Sequence, residues 1–250
     1  MSEEATINYR ELKRLVLSFT DGLLFGVASL DGLQDKFDLE IKDVASKMGY
    51  GISIAKRLPA AALETITDHP NRMYKHIYRQ TNIQLDNLAL LLVDKIQGMG
   101  YSALPIPASV VLDWRKQNSH FSHRHLAVAA GIGWWGRNNL VVTPQYGSQV
   151  RLVSILTDMP LKVDTPLDRG CGDCIDCISA CPAGALSLTP PFYNFQKCYG
   201  KLREFAKKDG IGYDICGVCI KVCKGKEKLY EEKLNEVSGE DCEHSKSIGV

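Results

Sequence analysis

The first hundred residues alternate between helical periodicities and short apolar runs. Three segments have apolar side chains at helical spacing and predict amphipathic helices: 8–19, 39–48 and 81–97. Gly49 ends the second of these helices, and Gly98 and Gly100 end the third. Two short apolar runs predict strands: 23–30 and 50–55. Pro59 suits the first turn of a further helix.

The pattern continues to about residue 165 with shorter elements. Three apolar runs predict strands: 103–106, 140–143 and 150–156. Pro144 and Gly147 place a turn between the last two runs. Residues 126–130 close a helix that ends at Gly131. Helices and strands follow one another without strict alternation, which predicts an α+β fold.

The distribution of cysteine divides the chain. All nine cysteines follow residue 170, and eight lie between Cys171 and Cys223. A disulfide framework would need an oxidising compartment, which nothing in the sequence indicates, so the cluster is typical of metal ligands. We therefore predict three parts: a cysteine-free α+β domain over 1–165, a metal-binding domain over 166–226 and a polar acidic, mobile tail over 227–250.

The first four cysteines have the C-x2-C-x2-C-x3-C-P spacing of a bacterial ferredoxin. Three of its thiolates surround one 4Fe–4S cluster, and the fourth, directly before proline, ligates the other cluster. The second run, Cys216, Cys219 and Cys223, lacks its first closely spaced cysteine, and Cys198 takes the place of that ligand. We predict cluster one on Cys171, Cys174, Cys177 and Cys223. We predict cluster two on Cys181, Cys198, Cys216 and Cys219.

Zinc is the alternative, because two C-x2-C pairs also bind zinc. Eight ligands would need two zinc ions, and zinc does not require the Cys-Pro run, so iron–sulfur clusters are the better interpretation. Cys242 lies beside His244 in the predicted tail, and we interpret it as a free thiol.

Composition and charge exclude several classes of protein. The 250 residues are 45% hydrophobic and 24% charged, which is ordinary for a globular protein. No run approaches the ~18 apolar residues of a membrane helix, and the N-terminus has no signal-peptide core, so we expect a cytoplasmic protein. A formal charge of +1 gives no global attraction to nucleic acid. Residues 197–228 are a local exception, with nine basic and four acidic residues: either a solvated face or a dock for an acidic electron donor.

Residues 127–161, followed by the ferredoxin run, resemble the epoxyqueuosine reductase family and the core of the respiratory reductive dehalogenases. The shared pattern is A-G-x-G-W-x-G-(K/R)-x-x-L, seen here as AGIGWWGRNNL over 130–140. An apolar strand ending in L-T-D-x-P-L at 156–161 follows it. The Lys197-Cys198 pair also matches the family.

The resemblance implies a nitroreductase-like corrinoid fold that binds base-off cobalamin, with two clusters that pass electrons singly to cobalt. It places a glycine turn against the corrin, with six binding residues: Gly131, Gly133, Trp134, Gly136, Arg137 and Asn138. Without the resemblance, the same stretch is a helix end and tight turn, with Trp134 and Trp135 packed in the core.

The chain departs from the family pattern at two points. The family continues past the clusters into helical repeats that help to hold tRNA, whereas this sequence stops at Val250. The family's proton-donating Asp corresponds to Gln117 in an ungapped register, and to Asp113 or Ser109 if a gap is allowed.

Two polar groups could supply a proton instead. His120, His123 and His125 lie within six residues, just before the glycine turn, and histidine readily gives a proton near neutral pH. The catalytic candidates are therefore His120, His123 and Asp113, against the alternative that the histidines are surface or capping residues. Within 73–82, one helical face carries Tyr74, Tyr78 and Asn82, and another carries His76 and Gln80. These faces either meet solvent or line the cavity over cobalt.

These features predict an iron–sulfur, cobalamin-dependent oxidoreductase that acts on a small molecule. A low-potential donor such as a ferredoxin or flavodoxin would supply electrons, and neither a membrane nor tRNA is expected as a partner. One alternative is an electron-transfer module that reduces a partner's corrinoid or flavin. The other is an epoxyqueuosine reductase acting on tRNA.

Overall fold

A computed structural model describes residues 2–113, 118–208 and 210–225. Its centre is a four-stranded antiparallel sheet in the order β1-β2-β6-β3. Its strands are β1 Leu23–Ser29, β2 Tyr50–Arg57, β3 Ala103–Ile106 and β6 Val150–Thr157. Two shorter strands, β4 Trp134–Trp135 and β5 Val141–Val142, pair separately. The helices are α1 Glu3–Phe19, α2 Lys42–Ala45, α3 Ala60–Glu64, α4 Arg72–Gly98, α5 His123–Ala129, α6 Asp176–Ala180, α7 Phe195–Lys207 and α8 Val218–Val222.

One face of the sheet packs against α1 and α4. Alternate residues of the paired central strands point to this face, and the fully buried ones include Ile52, Ile54, Val153 and Ile155. Side chains at helical spacing on the two helices pack against this face: Leu12 and Val16 from α1, and Leu85, Leu88, Leu92 and Ile96 from α4. This is the main apolar core, and it fixes α4 across the sheet.

The opposite face carries α5, which leads into the glycine turn. A Cβ at Gly26 of β1 would lie 2.2 Å from the carbonyl oxygen of Ala130, so the end of α5 approaches the sheet more closely than any side chain there would permit. Leu126 and Phe121 are fully buried below this helix. The close approach sets the position of the histidines on α5.

The predicted elements form, some with the predicted bounds and others with different ones. The strand over 103–106 is found as predicted. Helix α4 begins at Arg72 rather than at residue 81, because the Asn71 side chain accepts a hydrogen bond from Tyr74 N at 2.8 Å and caps it. The helix predicted over 39–48 is wrong in length, since only Lys42–Ala45 is helical.

The two apolar runs on either side of Pro144 belong to different sheets. β6 pairs with β2 and β3, whereas β5 pairs with β4 across a tight turn in which Gly136 N donates to Leu140 O at 2.8 Å. Asn139 in this turn has a φ of 58°. The turn folds residues 134–142 into a small ribbon beside the main sheet.

We call residues 166–225 the cysteine segment. Its described part has three helices: α6 and α8, of five residues each, and α7, of 13 residues. They pack on the first turns of α4 through a small apolar cluster in which Ile211, Ile215 and Val218 meet Tyr74 and Ile66. The predicted tail over 227–250, with Cys242 and His244, lies outside the described residues. Within the described ranges, no helix has the length and apolar character to cross a membrane.

Candidate cofactor and active site

The first cysteine loop is tied to the glycine turn by Arg137. Its guanidinium donates from Nη2 to Gly172 O at 2.6 Å and from Nε to Cys174 O at 3.1 Å. The sequence placed Arg137 against polar corrin side chains, whereas here its guanidinium is engaged by the backbone of the cysteine loop. Arg137 therefore joins the sheet region to the first group of thiols.

Three thiols lie near Cys177, which is only 8% exposed, and with it they form a first group of four. Burial raises the pKa of Cys177 to about 11, and the nearby Cys223, Cys171 and Cys174 add to this effect. Burial also raises the pKa of Cys223, while hydrogen bonds from the Ser148 hydroxyl and backbone N–H oppose the rise. The fold thus brings Cys223 beside the first three cysteines of the ferredoxin run.

The other four thiols form a second group. Burial raises the pKa of Cys216 to about 11, with further contributions from Cys198 and Cys181. Burial is also the main reason that the pKa of Cys219 is raised, and Cys216, Cys198 and Cys181 add to it. The Tyr193 hydroxyl hydrogen-bonds Cys198 and favours its thiolate.

The chemistry of these donors suits iron–sulfur clusters. Seven of the eight thiols are partly or fully buried, and such a group cannot ionise together unless cationic metal offsets its charge. Among the described residues, no three Cys, His, Asp or Glu side chains converge on a single metal position. In a 4Fe–4S cluster each thiolate binds its own iron, so its four sulfurs surround the cluster without meeting at one point.

A close backbone contact sets the position of Cys223. Gly147 has a φ of +57°, and a Cβ there would lie 2.1 Å from the carbonyl oxygen of Cys223. Ser148 N donates to the same oxygen at 3.3 Å. The turn after β5 therefore packs directly on the end of α8, and a side chain at residue 147 would push the two apart.

A cavity of about 550 Å³ lies between α5, β6 and Ile220 of α8. Six of its polar lining residues are Lys36, His123, Arg124, His125, Ser148 and Arg151. None of the described residues lining it is a carboxylate. A chamber of this composition favours a ligand that carries negative charge or hydrogen-bond acceptors.

Two predicted proton donors are already engaged. His123 Nε2 lies 2.9 Å from Pro107 O, which can only accept, so this nitrogen carries the ring proton. His123 Nδ1 lies 2.8 Å from Ser154 Oγ, and burial lowers the pKa of His123 to about 4. The ring is therefore neutral and both of its nitrogens are bonded. His120 Nε2 lies 3.0 Å from the Glu40 carboxylate.

His125 differs from these two histidines. It lines the cavity, packs edge-on to the Trp135 ring with centroids 5.1 Å apart, and its buried Nδ1 has no hydrogen-bond partner among the described residues. Burial lowers the pKa of His125, and nearby Lys36 and Arg124 lower it further. A polar atom left unpaired in a cavity wall is a place for a ligand to bind.

The other candidates lie on the loop before α5. Asp113 forms a bridge with Asn118, and Ser109 Oγ is 3.1 Å from the Tyr78 hydroxyl. Gln117 lies outside the described residues. Neither Asp113 nor Ser109 lines the cavity, although the adjacent Val110 does.

Sequence reasoning favoured a solvent face for Tyr74, Tyr78 and Asn82, and this was wrong. Tyr74 and Asn82 are buried because α4 turns this face toward β6 and the cysteine segment. Arg151 of β6 donates to Asn82 Oδ1 at 2.8 Å and lies over the Tyr78 ring at 4.3 Å from its centroid. An arginine within the apolar run VRLVSIL was the signal that this helix face has a buried partner. His76 and Gln80 are exposed, as the solvent interpretation expects.

Tyr78 has an unusual electrostatic environment. Burial raises its pKa, but the Arg151 guanidinium and hydrogen bonds with Ser109 and Asn82 outweigh burial, so the pKa is lowered overall. Arg151 also donates to the Tyr78 hydroxyl at 3.3 Å and lines the cavity. This phenol is therefore set up to lose a proton more readily than an ordinary tyrosine.

The predicted corrin-binding turn lies between the main cavity and a second cavity of about 350 Å³ that includes Trp135, Arg137 and Cys171. Gly133 packs against the backbone of Val142, where a Cβ would lie 2.3 Å from the carbonyl oxygen, so it faces β5 rather than open space. Asn138 is buried and donates to Ser148 Oγ. The Trp134 indole N–H is buried with no partner among the described residues. Gly131 and Gly136 also pack against neighbouring backbone or side chains.

The fold is shared with reductive dehalogenases and epoxyqueuosine reductases. It matches a catabolic reductive dehalogenase solved with 3-bromo-4-hydroxybenzoic acid at a TM-score of 0.74 and 19% identity, over 94% of this chain and 34% of that one. It also matches an epoxyqueuosine reductase solved with an epoxyqueuosine-modified tRNA-Tyr stem loop at a TM-score of 0.55 and 26% identity, over 86% of this chain and 64% of that one. The predicted α+β class is confirmed.

Sequence comparison names the nearer family. The chain is 38% identical over 117 residues to the epoxyqueuosine reductase of Bacillus subtilis (42% of this chain, 30% of the relative). It is 49% identical over 120 residues to that of Listeria monocytogenes (44% and 31%). The chain thus spans about a third of the length of these relatives, and no protein-family model matches it. The resemblance to the epoxyqueuosine reductase family is confirmed.

Proposed function

We propose that this chain is a reductase that uses two 4Fe–4S clusters and cobalamin. The observation that carries the proposal is the arrangement of eight cysteines in two groups of four beside the family-like glycine turn. This turn meets the main cavity at Leu140 and lines the second cavity with Gly136 and Arg137. The named relatives support the reaction class. One of the dehalogenase structures concerns B12-dependent dehalogenation, which supports the cofactor.

The residues around the cavity fit a large polar cofactor. The Nδ1 of His125, which lines the cavity and has no hydrogen-bond partner among the described residues, is ready to bond its amide side chains. Ser148 lines the cavity and also bonds Cys223, so it lies between the cofactor position and the predicted cluster one. When bound, cobalamin supplies a strongly reducing and nucleophilic cobalt centre. The predicted contacts Gly131, Gly133, Gly136, Arg137 and Asn138 then act mainly by holding the turn in shape.

We assign the proton donor to Tyr78 in preference to His120, His123 and Asp113. Tyr78 does not itself line the cavity, but its hydroxyl is bonded to Arg151, which does. The Arg151 guanidinium stabilises the phenolate that remains when the Tyr78 hydroxyl gives up its proton. Asn82 holds Arg151 in place from the next turn of α4. In the overall reaction, two electrons and this proton replace a leaving group on carbon by hydrogen, and the group departs with the bonding electron pair.

Two substrate classes have support of different kinds. The cationic lining of the cavity favours a small molecule that is anionic. The sequence predicted a small molecule but not its charge. The named relatives favour an epoxyqueuosine-containing tRNA, and a related enzyme has been solved with such a stem loop. We propose the small anionic molecule as the first candidate, because Lys36, Arg124 and Arg151 line the chamber without a carboxylate.

The experiment begins with anaerobic reconstitution with iron, sulfide and cobalamin. We expect about eight iron and eight sulfide per chain and a base-off cobalamin spectrum. Turnover is then measured with a halogenated hydroxybenzoate and with the modified tRNA stem loop. Queuosine formation would overturn the small-molecule assignment and leave the reductase proposal intact. Two zinc ions without sulfide would overturn the whole proposal.

An electron-transfer module is the second candidate function, and it is favoured by the exposed Cys174 beside the second cavity. If calorimetry on the cluster-loaded protein detects no cobalamin binding, this function takes the place of the first. The two cases are then separated by mixing the reduced protein with a free corrinoid and measuring the rate of its reduction.

A further inference from the structure

Two helix ends with basic side chains meet beside the second group of cysteines. α4 contributes Arg72, Lys75 and Arg79, and α7 and the residue after it contribute Arg203, Lys207 and Lys208. We call these six residues the basic face. All but the half-buried Lys75 are exposed.

The two parts of the basic face form one continuous surface. Tyr213, which is 38% exposed, lies between them, with Lys75 Nζ 5.2 Å and the Arg79 guanidinium 5.6 Å from its ring centroid. The position of a Cβ on Gly210 would be 3.6 Å from Arg72 Nη2. Gly212 N also donates to Ala206 O of α7 at 2.8 Å, so the loop over 210–213 joins the end of α7 to the start of α4.

The basic face has six cationic residues, and the sequence places three acids among them, Glu204, Asp209 and Asp214, so an excess of positive charge remains. Glu204 pairs with Lys201 at 2.6 Å, and neither belongs to the basic face. Asp214 is within 3.6 Å of Arg203, and its side chain is only 6% exposed. A nearly buried carboxylate neutralises little of the charge that an approaching partner meets, so the basic face attracts an anionic surface.

The basic face borders the predicted ligands of cluster two. Lys201 on α7 is close enough to Cys216 that its positive charge acts on that thiol. Tyr213 precedes Cys216 by three residues, and Cys198 lies on α7 itself. A partner that covers this surface is therefore brought to cluster two rather than to the mouth of the main cavity.

We propose that the basic face docks an acidic one-electron carrier protein of the ferredoxin or flavodoxin type, which delivers electrons to cluster two. The proposal rests on the proposed function only for the presence of the clusters. At each encounter the carrier loses one electron and cluster two gains it, with no proton transferred. Two encounters supply the pair of electrons that the reduction consumes.

The same charges could attract RNA, but the position favours a protein donor. A tRNA base must reach the cavity lined by Arg124 and His125, whereas an electron donor must approach a cluster. Attraction to a charged surface acts mainly on the rate of encounter, so the rate of cluster reduction is the quantity to measure.

The test uses full-length, cluster-loaded protein and a reduced, acidic plant-type 2Fe–2S ferredoxin as the probe. Stopped-flow absorbance follows reduction of the clusters. Two variants reverse the charge, Lys207→Glu/Lys208→Glu and Lys75→Glu/Arg79→Glu. The matched control is Arg10→Glu/Arg14→Glu, which reverses an exposed basic pair on α1. Photoreduced 5-deazaflavin, which does not need docking, gives the rate of cluster reduction without a protein partner.

We expect each basic-face variant to slow reduction by ferredoxin at least about tenfold at low salt and to flatten its salt dependence. The deazaflavin rate and the control should not change. Equal loss in the control, or no loss in either variant, would overturn the proposal. Loss of tRNA binding with an unchanged ferredoxin rate would assign the face to RNA instead. Failure to load clusters would count against the proposed function, because the docking test starts from loaded protein.

Discussion

The sheet region, residues 2–165, and the cysteine segment, residues 166–225, are held together by different physical means. In the sheet region two helices bury a continuous apolar core against paired strands, with Leu12, Ile54 and Leu92 fully buried. The cysteine segment buries few large apolar side chains, among them Phe205 and Ile211. Its other buried groups are thiols that favour a metal cluster over ionisation alone. The first region can fold on burial of apolar surface, while the second depends on its ligands.

Removal of metal should have the largest effect of the changes considered, and it should affect the two regions differently. We expect chelation and oxidation of the clusters to unfold the cysteine segment while the sheet region keeps its core. Limited proteolysis should then cut within 166–225 and spare 2–165, and circular dichroism should retain most of the sheet signal. Loss of all structure together would show that the sheet region also depends on the clusters.

Loss of one ligand separates the two groups of thiols. Cys198→Ser should reduce the iron content from about eight to about four per chain, because Cys198 belongs to the predicted cluster two alone. Iron and sulfide analysis, with electron paramagnetic resonance of the reduced protein, measures the change. Cys242→Ser is the control, since we interpret that cysteine as a free thiol, and it should not alter the iron content. Equal loss of both clusters in Cys198→Ser would contradict the assignment.

A substitution of Tyr78 tests whether the proton donor lies at the boundary between the two regions. Tyr78→Phe should lower kcat by about 10²–10⁴-fold, because it removes the hydroxyl that carries the proton, and it should leave the iron content unchanged, because no cluster ligand is altered. Wild-type activity should fall as pH rises through the lowered pKa of Tyr78, since the protonated phenol is the acid, and this fall should be absent in the variant.

The control for this prediction is His123→Gln. Gln can replace the hydrogen bonds of His123 to Pro107 and Ser154, so we expect it to change kcat much less. An equal loss in both variants would indicate a general disturbance of the cavity wall. A loss in His123→Gln alone would return the proton-donor role to His123.

Much of this arrangement could be predicted from sequence, and the failures share a cause. Local patterns located the strand at 103–106 and, through ligand spacing, two groups of cysteines, whose cluster assignment stays a prediction. Periodicity missed the start of α4, because the Asn71 cap lies beside polar residues that pack against Arg151 and the cysteine segment. The bonds of Arg137 to backbone carbonyls of the cysteine loop were also missed, and its role at the corrin stays a prediction. These contacts join residues far apart in sequence, which no local pattern records.

A cavity in the apolar core should affect the sheet region alone. Leu88→Ala removes a fully buried side chain between α4 and the sheet, and we expect it to reduce the free energy of unfolding by about 2–5 kcal/mol. Thermal unfolding measures the loss, and iron per folded chain should be unchanged. Leu91→Ala is the control, because Leu91 is exposed on the same helix. If Leu88→Ala released iron below its unfolding temperature, the two regions would be more tightly coupled than their interface suggests.

The smallest effect on stability is expected from two asparagine caps, one at the start of a helix in the sheet region and one at the start of a helix in the cysteine segment. Asn71 Oδ1 accepts from Tyr74 N at 2.8 Å and caps α4, and Asn194 Oδ1 accepts from Lys197 N at 3.0 Å and caps α7. Each Asn→Ala change should cost about 1 kcal/mol of local helix stability. Asn71→Ala acts on a helix that belongs to the main core, so the loss should appear in the global unfolding temperature.

Asn194→Ala acts on a helix that carries Cys198, so its loss should appear as faster release of iron to a chelator, with little change in the global unfolding temperature. Asn71 also donates to Thr65 O at 2.7 Å, which ties the start of α4 to the loop before it and makes its loss the more global of the two. For both variants, calorimetry measures the unfolding temperature, and a chelator assay measures the rate of iron release. If both caps changed the unfolding temperature equally and neither changed iron release, one cooperative core would hold both regions. The contrast between apolar burial and ligand binding would then be wrong.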